Sequence, residues 1–445
     1  MRKIEITADR LVQSLLKLSE TRKLSLLDSC GVGRPGADLL IAGFDPVETL
    51  EIDKEDPAET LTVFDEKLGS NDLAAVFTMS YDFGVKLQRI GSRSIHAASL
   101  EPDIHLALFD CLIVHDYNTA VTYISGNPAK YESVAKILLR SSPSEKADSN
   151  PSSWRSIARS NFTRSRYLQA IGEIKELIRS GETYQANLTQ QLSVELPAET
   201  SPAEIFSRLR RNHPAPFAAF IDRGSSAVIS ASPELFIQIS PGANGGRQVT
   251  ASPIKGTRRR GRTVAEDELL RAELLGSEKD RAENTMIVDL MRNDLGRICT
   301  YGSLAVESLC NLEVHPSLFH LVSTVAGTLH DHTAFSDVIR AIFPCGSITG
   351  APKIRTMLII DEIESRLRGL SMGAIGCRIP GEAFALQDTF EMSVAIRTMV
   401  IRDGTAVFNV GGGIVIDSDP ESELDESMLK AKALLDALGV IGFGL

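Results

Sequence analysis

FALQDTFEMSVAIRTMVI (residues 384–401) and TAVFNVGGGIVI (405–416) are two apolar, strand-like runs lying almost end to end. Their β-branched and aromatic content suits an extended, pleated backbone. Runs of the same kind recur upstream in SMGAIGCRI (371–379), HLVSTVAGTL (320–329), SSAVISASPELFIQI (225–239) and TYQANLTQ (183–190). In the last of these, Tyr184, Ala186 and Leu188 alternate with Gln185, Asn187 and Thr189, the pattern of a half-buried strand. Nearer the N-terminus, DLLIAGF (38–44) and LAAVFTM (73–79) are strand-like, and IHLALFDCLIVHD (104–116) reads as buried strand and turn. RSRYLQAIGEIKELIRSG (164–181) makes a one-sided helix through Leu168, Ile171, Ile174 and Ile178, closed by Gly181. Further helices are expected at about 264–275, 280–293, 334–342, 352–368 and 423–438. Many strands with unevenly placed helices, rather than regular βαβ alternation, point to an α+β fold on large antiparallel or mixed sheets.

The 445 residues suffice for two or three average domains or for one large core with an elaborated rim. A polar stretch, SSPSEKADSNPSS (141–153), has the composition of an exposed connection and divides an N-terminal region, 1–150, from a main part, 151–445. The net charge of −11 argues against a nucleic-acid partner, which normally meets a basic stripe. No apolar run approaches membrane-spanning length, and the start, MRKIEITADRLVQ, breaks into charge before a secretory core can form. Six scattered cysteines without a CxxC pair fit free thiols in a reducing cytoplasm, the expected location. Eight histidines without close ligand spacing make zinc a poor candidate.

Four features carry chemistry. SPIKGTRRRG (252–261) frames Lys255 between Ile254 and Gly256, behind Pro253 and ahead of Arg258, Arg259 and Arg260. Three nearby positive charges would oppose protonation of Lys255, and an amine attacks only in its neutral form; the same stretch also suits a basic surface loop. DRAENTMIVDLMRNDLG (280–296) sets Asp280 and Glu283 three apart on a helix, with Ala282, Met286 and Leu290 as its packing set. PESELDESMLKAKALL (420–435) repeats the spacing with Glu423 and Glu426 over Met428, Ala431, Leu434 and Leu435. Four carboxylates from two helices make an oxygen-rich set that suits Mg²⁺, or else two solvated helix faces. Lys430, one turn past Glu426, either pairs with it or reaches a bound anion. FPCGSITGAPKIRTM (343–357) joins a glycine-rich turn to a helix start, so Gly346, Ser347, Thr349 and Gly350 form either an anion cradle or an ordinary tight turn. Gly411, Gly412 and Gly413 permit close approach of backbone to a ligand or simply a strand bend.

Taken in order, GETYQANLTQ, SPELF, PIKGTRRRG, DRAENTMIVDLMRNDLG, HLVSTVAGTL, FPCGSITGAPKIRTM, AIRTM and FNVGGGIVIDSDPESELDE resemble the chorismate-utilising enzymes across residues 160–440. That family includes anthranilate synthase component I, aminodeoxychorismate synthase component I, isochorismate synthase and salicylate synthase. The resemblance implies a sandwich of two large antiparallel sheets flanked by helices, with a catalytic domain over 151–445 and N-terminal strands joining it. It implies Mg²⁺ at Glu283 and Glu426, supported by Asp280 and Glu423, holding the ring carboxylate of chorismate. Arg397, the Ser347–Gly350 turn and the backbone of Gly411–Gly413 would hold the rest of the anion, with Thr257, His320 and Lys430 near the ring and metal. Glu234 matches the general acid that protonates the departing C4 hydroxyl. Gln185 stands where water-adding members carry a general-base lysine, which disfavours water addition.

Lys255 marks a finer branch, because the para-aminating members carry PIKGT where anthranilate-forming members usually carry PIAGT. The implied reaction has Lys255 attack C2 of chorismate, after which ammonia from a separate glutamine amidotransferase enters at C4. Anthranilate formation is the rival reading, and a non-catalytic chorismate-binding regulatory subunit is the alternative from another class. LSLLDS (24–29) resembles a segment of the amine-forming members, for which an N-terminal tryptophan pocket is implied. Two departures stand out: Cys345 replaces a common glycine, and Cys377 falls where a tyrosine is common near chorismate.

Overall fold

The computed structural model describes residues 1–33, 38–90, 101–140, 156–242, 245–314, 318–440 and 442–444. The polar stretch 141–153 lies outside the described residues. Among the described residues the strands form two sheets, of thirteen and ten strands. Pairing is antiparallel throughout, apart from Gly442–Gly444 beside Ile157–Ser160. Helices cover the outer face of each sheet, which makes a four-layer α+β sandwich as expected.

Three apolar cores account for the layering. Outside the thirteen-stranded sheet, Leu11, Leu15, Leu138, Phe206, Leu209, Ala431 and Leu434 from four helices pack on Leu26, Ala42, Phe220 and Phe408. Outside the ten-stranded sheet, Phe64, Ile287, Met291, Val338 and Ile342 pack on Phe77, Phe236, Val249 and Met392. Between the sheets, Ala74, Val76, Phe109 and Ile375 from one face meet Val114, Ala219, Ile221 and Val228 from the other. Strands buried on both faces read as near-continuous apolar runs, which is why the longest such runs in the sequence are central strands.

Both halves of the chain build both sheets. Leu24–Asp28 pairs with Phe217–Asp222 in one, and Ala74–Met79 pairs with Ala374–Ile379 in the other. The stretch 104–116 is two strands rather than strand and turn. Ile104–Phe109 belongs to the ten-stranded sheet and Cys111–Asp116 to the thirteen-stranded one, with only Asp110 between them.

Local details depart from the sequence expectation where tertiary neighbours intervene. The strand Gln185–Glu195 is buried on both faces, because Ala186 and Leu188 lie under Tyr167, Ile171 and Ile174 while Gln185, Asn187 and Thr189 face the interior of the sandwich. Tyr184 precedes that strand and is 68% exposed. In the helix Glu278–Leu295 the packed residues are Asn284, Ile287, Val288, Met291, Asp294 and Leu295; Ala282 is exposed, and Met286 and Leu290 are half-buried. The helix expected to reach residue 368 ends at Ile363, since Glu364 turns to extended geometry and its carboxylate is taken by Thr189 and Arg368.

Phe77 stands at the join between N-terminal and C-terminal strands, edge-on to Phe64 at 5.1 Å and stacked on Phe390 at 5.6 Å. Phe77→Ala is expected to cost about 3–5 kcal/mol, the range for emptying a filled aromatic site. Urea unfolding should show this as a lowered midpoint of a single transition, because the strand is shared architecture rather than an appendage.

Candidate active site

The site assembles around the strand pair Gln185–Glu195 and Thr405–Ile414, joined from Ala186↔Ile414 to Glu195↔Thr405. The Gly411–Gly413 stretch permits contact rather than a bend. A Cβ on Gly413 would lie 2.1 Å from Gln185 Nε2, and one on Gly412 would lie 3.0 Å from Glu423 Oε2. Directly after this pair, Asp419 caps the helix Pro420–Leu438, accepting from the Ser422 N–H at 3.0 Å with Pro420 in the first turn. That helix carries Glu423, Glu426 and Lys430 to the strand ends, where Lys430 Nζ donates to the Gly411 carbonyl at 3.1 Å.

From the other sheet, Ile254–Arg259 presents Lys255 and Thr257. The register slips between them at Gly256, whose φ of +78° needs a glycine and whose missing Cβ leaves room for Asp280. Thr257 pairs across the ladder with His320, hydroxyl to Nδ1 at 2.8 Å. The three arginines after Lys255 each have an acidic partner of their own. Arg258 pairs with Glu273 at 2.8 Å, Arg259 with Glu266, and Arg260 with Asp267 at 2.7 Å, all on the acidic helix Val264–Gly276. Lys255 faces Glu283 instead, at 3.8 Å, with both side chains 13% exposed.

Each acid of the two helix pairs meets a different cation. Besides Lys255–Glu283, Arg258 lies 3.4 Å from Asp280, Lys279 lies 3.1 Å from Glu423, and Lys430 lies 2.8 Å from Glu426. Burial raises the pKa of Glu283, Lys255 and Lys279 pull it down, and Asp280 and Glu423 push it up again. At half-exposed Glu426 burial acts upward, but Lys430 and Lys279 outweigh it and the pKa is lowered. All four acids thus share one cleft electrostatically. No group of three or more His, Cys, Asp or Glu among the described residues is close enough to hold a metal ion in this arrangement. The donor chemistry nonetheless fits a hard cation: carboxylates only, with Asp280 Oδ2 buried and without a hydrogen bond.

Glu234 is buried, 3% exposed, just ahead of the strand Leu235–Pro241. Burial drives its pKa up to about 7 against the lowering effects of the Ser347 hydroxyl, the Lys255 charge and the Ile254 backbone. One of its oxygens has no hydrogen bond. Gln185 has neither amide atom satisfied, and Asn187 Oδ1 is likewise bare. Buried polar atoms without partners are rare in folded chains, so this concentration marks a place where a ligand completes the bonding. Sequence reading overlooked Asn187 as a site residue, although it stands two positions from Gln185 on the same strand face. It overlooked Lys279 too, whose position beside Asp280 was the available signal.

The Gly346–Gly350 turn lies beside Glu234 but is only partly free to act as a cradle. Ser347 reaches Glu234, whereas the Thr349 hydroxyl donates inward to the Cys345 and Gly346 carbonyls at 3.0 and 3.2 Å. Cys345 lies against Ser347 at 3.2 Å, and burial beside Glu234 pushes its thiol up to about 12, so it is a neutral space-filler. Arg397 has a left-handed φ of +48° and a desolvated guanidinium whose pKa burial lowers. No hydrogen bond ties Arg397 to the turn among the described residues. Cys377 does not adjoin these groups. It lines a separate cavity of about 160 Å³ between the sheets, with Leu27, Asp28, Ser29 and Phe217.

Comparison with known proteins gives one family, whose members differ in named activity. Residues 25–436 match the family described as chorismate binding enzyme. Aminodeoxychorismate synthase component 1 of Bacillus subtilis is 33% identical, over 98% of this chain and 96% of that one. A Haloarcula marismortui anthranilate synthase component 1 is also 33% identical, over 89% and 82%. The crystal structure of anthranilate synthase component I from Streptococcus pneumoniae superposes with a TM-score of 0.77 at 26% identity, covering 90% of this chain and 92% of that one.

The protonation of Glu234 gives a direct test. Its ordinary value is 4.5 and its folded value about 7, so between them the folded state keeps a proton that the unfolded state has lost. Stability from this group is complete below pH 4.5 and is lost as pH rises through 7. Glu234→Gln should therefore unfold later than the parent at pH 8, by about 1–3 kcal/mol, with the gain shrinking toward pH 5. Urea midpoints at the two pH values measure it.

Proposed function

The chain belongs to the chorismate binding enzyme family, and we propose that it aminates chorismate at C4, giving 4-amino-4-deoxychorismate for p-aminobenzoate and folate synthesis, the activity of an aminodeoxychorismate synthase component I. Relatives named aminodeoxychorismate synthase reach 44% identity and those named anthranilate synthase 40%, which favours the first reading. The observation that carries the reading is Lys255, held on a bulged strand within reach of the Glu283 carboxylate and close enough to Glu234 for its charge to act there.

Lys255, which faces Glu283 as an ammonium, must first release a proton to solvent, because an ammonium has no lone pair to give. It adds to C2 of the chorismate ring while the diene shifts and the C4–O bond breaks. Glu234, kept protonated by burial, gives its proton to the leaving hydroxyl, so water departs. Ammonia then forms the bond to C4 and gives a proton back to the Glu234 carboxylate, the double bonds shift back, and the lysine leaves C2 with its electron pair restored. Gln185 cannot abstract a proton from water, so its bare amide favours ammonia as the nucleophile. Asp280, Glu283, Glu423 and Glu426 would hold Mg²⁺, which when bound offsets the charge of the substrate carboxylate. Thr257 and His320 then border the ring, and Lys430, Arg397, the Ser347–Gly350 turn and the Gly411–Gly413 backbone meet the remaining polar groups.

Ammonia is mostly ammonium near neutrality, so supply by a separate glutamine amidotransferase subunit fits the chemistry. No helix among the described residues is long and apolar enough to cross a membrane. The inter-sheet cavity is the place for a tryptophan. Its apolar wall of Leu27, Leu39 and Ile41 suits an indole, and Asp28 is already engaged by Arg210 at 2.6 Å and Tyr117 at 2.7 Å.

Incubation with chorismate, Mg²⁺ and ammonia, followed by chromatography, is expected to give aminodeoxychorismate without pyruvate. Anthranilate with pyruvate would replace this reading by its rival, and binding without turnover would make the chain a regulatory subunit. Lys255→Ala should lower amination by roughly 10³-fold or more, the scale on which removal of a covalent nucleophile acts. Glu234→Gln should lower kcat by roughly 10²–10⁴-fold and abolish the fall in activity above pH 7.

A further inference from the structure

The strand Gln185–Glu195 is covered on one side by two short neighbours that leave a gap. Gly350–Ala351 pairs with Gln185 and Ala186, and Ile157–Ser160 pairs with Leu192–Val194. Between them, the Asn187 carbonyl and the Thr189 N–H face no strand on that side. An ion pair fills their place. Arg368 Nη2 donates to the Asn187 carbonyl at 2.6 Å, and Glu364 Oε1 accepts from the Thr189 N–H at 2.8 Å and its hydroxyl at 3.0 Å. The two side chains are joined twice, Nε to Oε2 at 2.9 Å and Nη2 to Oε1 at 2.7 Å. From the same guanidinium, Nη1 donates to the Ile348 carbonyl at 2.9 Å, in the middle of the turn that carries Ser347 and Thr349. The Tyr81 ring lies 4.5 Å from the guanidinium carbon, and Asp82 accepts the Gly369 N–H at 2.9 Å, which anchors the loop from behind.

We infer that Arg368 and Glu364 are positioning residues, which stand in for a missing strand and lock the Gly346–Gly350 turn to the strand bearing Gln185. This rests on the chorismate site proposed above. Only a planar group with divergent N–H bonds reaches three acceptors on separate segments at once, and a lysine in its place has one point of charge. Arg368 is 3% exposed and Glu364 9%, so neither bond network is shared with solvent. The turn then has a fixed distance from Gln185, and through Ser347 from the proton on Glu234. A shift of about 1 Å in such a site costs on the order of 10²-fold in rate.

The test compares the full chain with Arg368→Lys and Glu364→Gln in three measurements: kcat and KM for chorismate with ammonia and Mg²⁺, amide hydrogen exchange, and thermal midpoint. Arg368→Lys is expected to lower kcat by about 10–100-fold with KM changed much less. Exchange should quicken at 186–189 and 346–350 while the remote strand Ala74–Met79 stays protected. Glu364→Gln, which keeps an oxygen for the Thr189 N–H, should move kcat and exchange the same way by less, and it carries the test alone if Arg368→Lys does not fold. Either variant with kcat and KM within twofold of the parent, a loss of activity matching its unfolded fraction, or exchange unaltered at both segments would overturn the inference. If the parent chain itself leaves chorismate unconsumed, the proposed function falls, and the exchange measurement still decides whether the pair locks the turn.

Discussion

The cleft depends on how closely two strands run past each other. Where Thr405–Ile414 meets Gln185–Glu195, glycines leave no side chain between the ladder and its contents, and Gln185 and Glu423 fill the space a Cβ would take. Everything else is hung from that ladder. A helix leaves its end with two acids and a lysine, another helix packs beneath it, and the Gly346–Gly350 turn is pinned to its edge. Larger residues on that glycine run would push the acidic helix outward and part the turn from the strand at one stroke.

Charge is the second constraint. A chain with a net charge of −11 must receive an anion, and it does so with local cations rather than a basic face. Lys255, Lys279, Lys430 and Arg258 each sit on one of four carboxylates, so the cleft is close to locally balanced. Glu234 lies outside those four pairs, and there, as at Glu283, burial outweighs the favourable neighbours. Acid and amine therefore face a common space in different environments, a division that suits proton donation beside nucleophilic attack.

Much of this was legible from residue order. Strand runs, the acid pairs at helical spacing, the glycine-rich turn and the framed lysine all rest on short-range patterns, and the motif order placed the chain in its family. Less legible were features that require two distant segments. The packing face of Glu278–Leu295 follows its neighbours rather than the spacing of Ala282, Met286 and Leu290. The arginines after Lys255 look like pressure on that amine until the helix Val264–Gly276 is folded back to neutralise them. Cys377 looks like a substrate neighbour until its strand is placed in the other cavity.

Residue order alone determined which segments are extended, which are helical and which side chains have the chemistry to act, because propensity and periodicity operate within a few residues. Only the tertiary structure decided which acid keeps its proton, which cation meets which carboxylate and where the sheet edge is closed by an ion pair. Those outcomes depend on burial and on distances between residues far apart in the chain, such as Asn187 and Arg368, 181 positions apart, and desolvation has no counterpart in the order of letters.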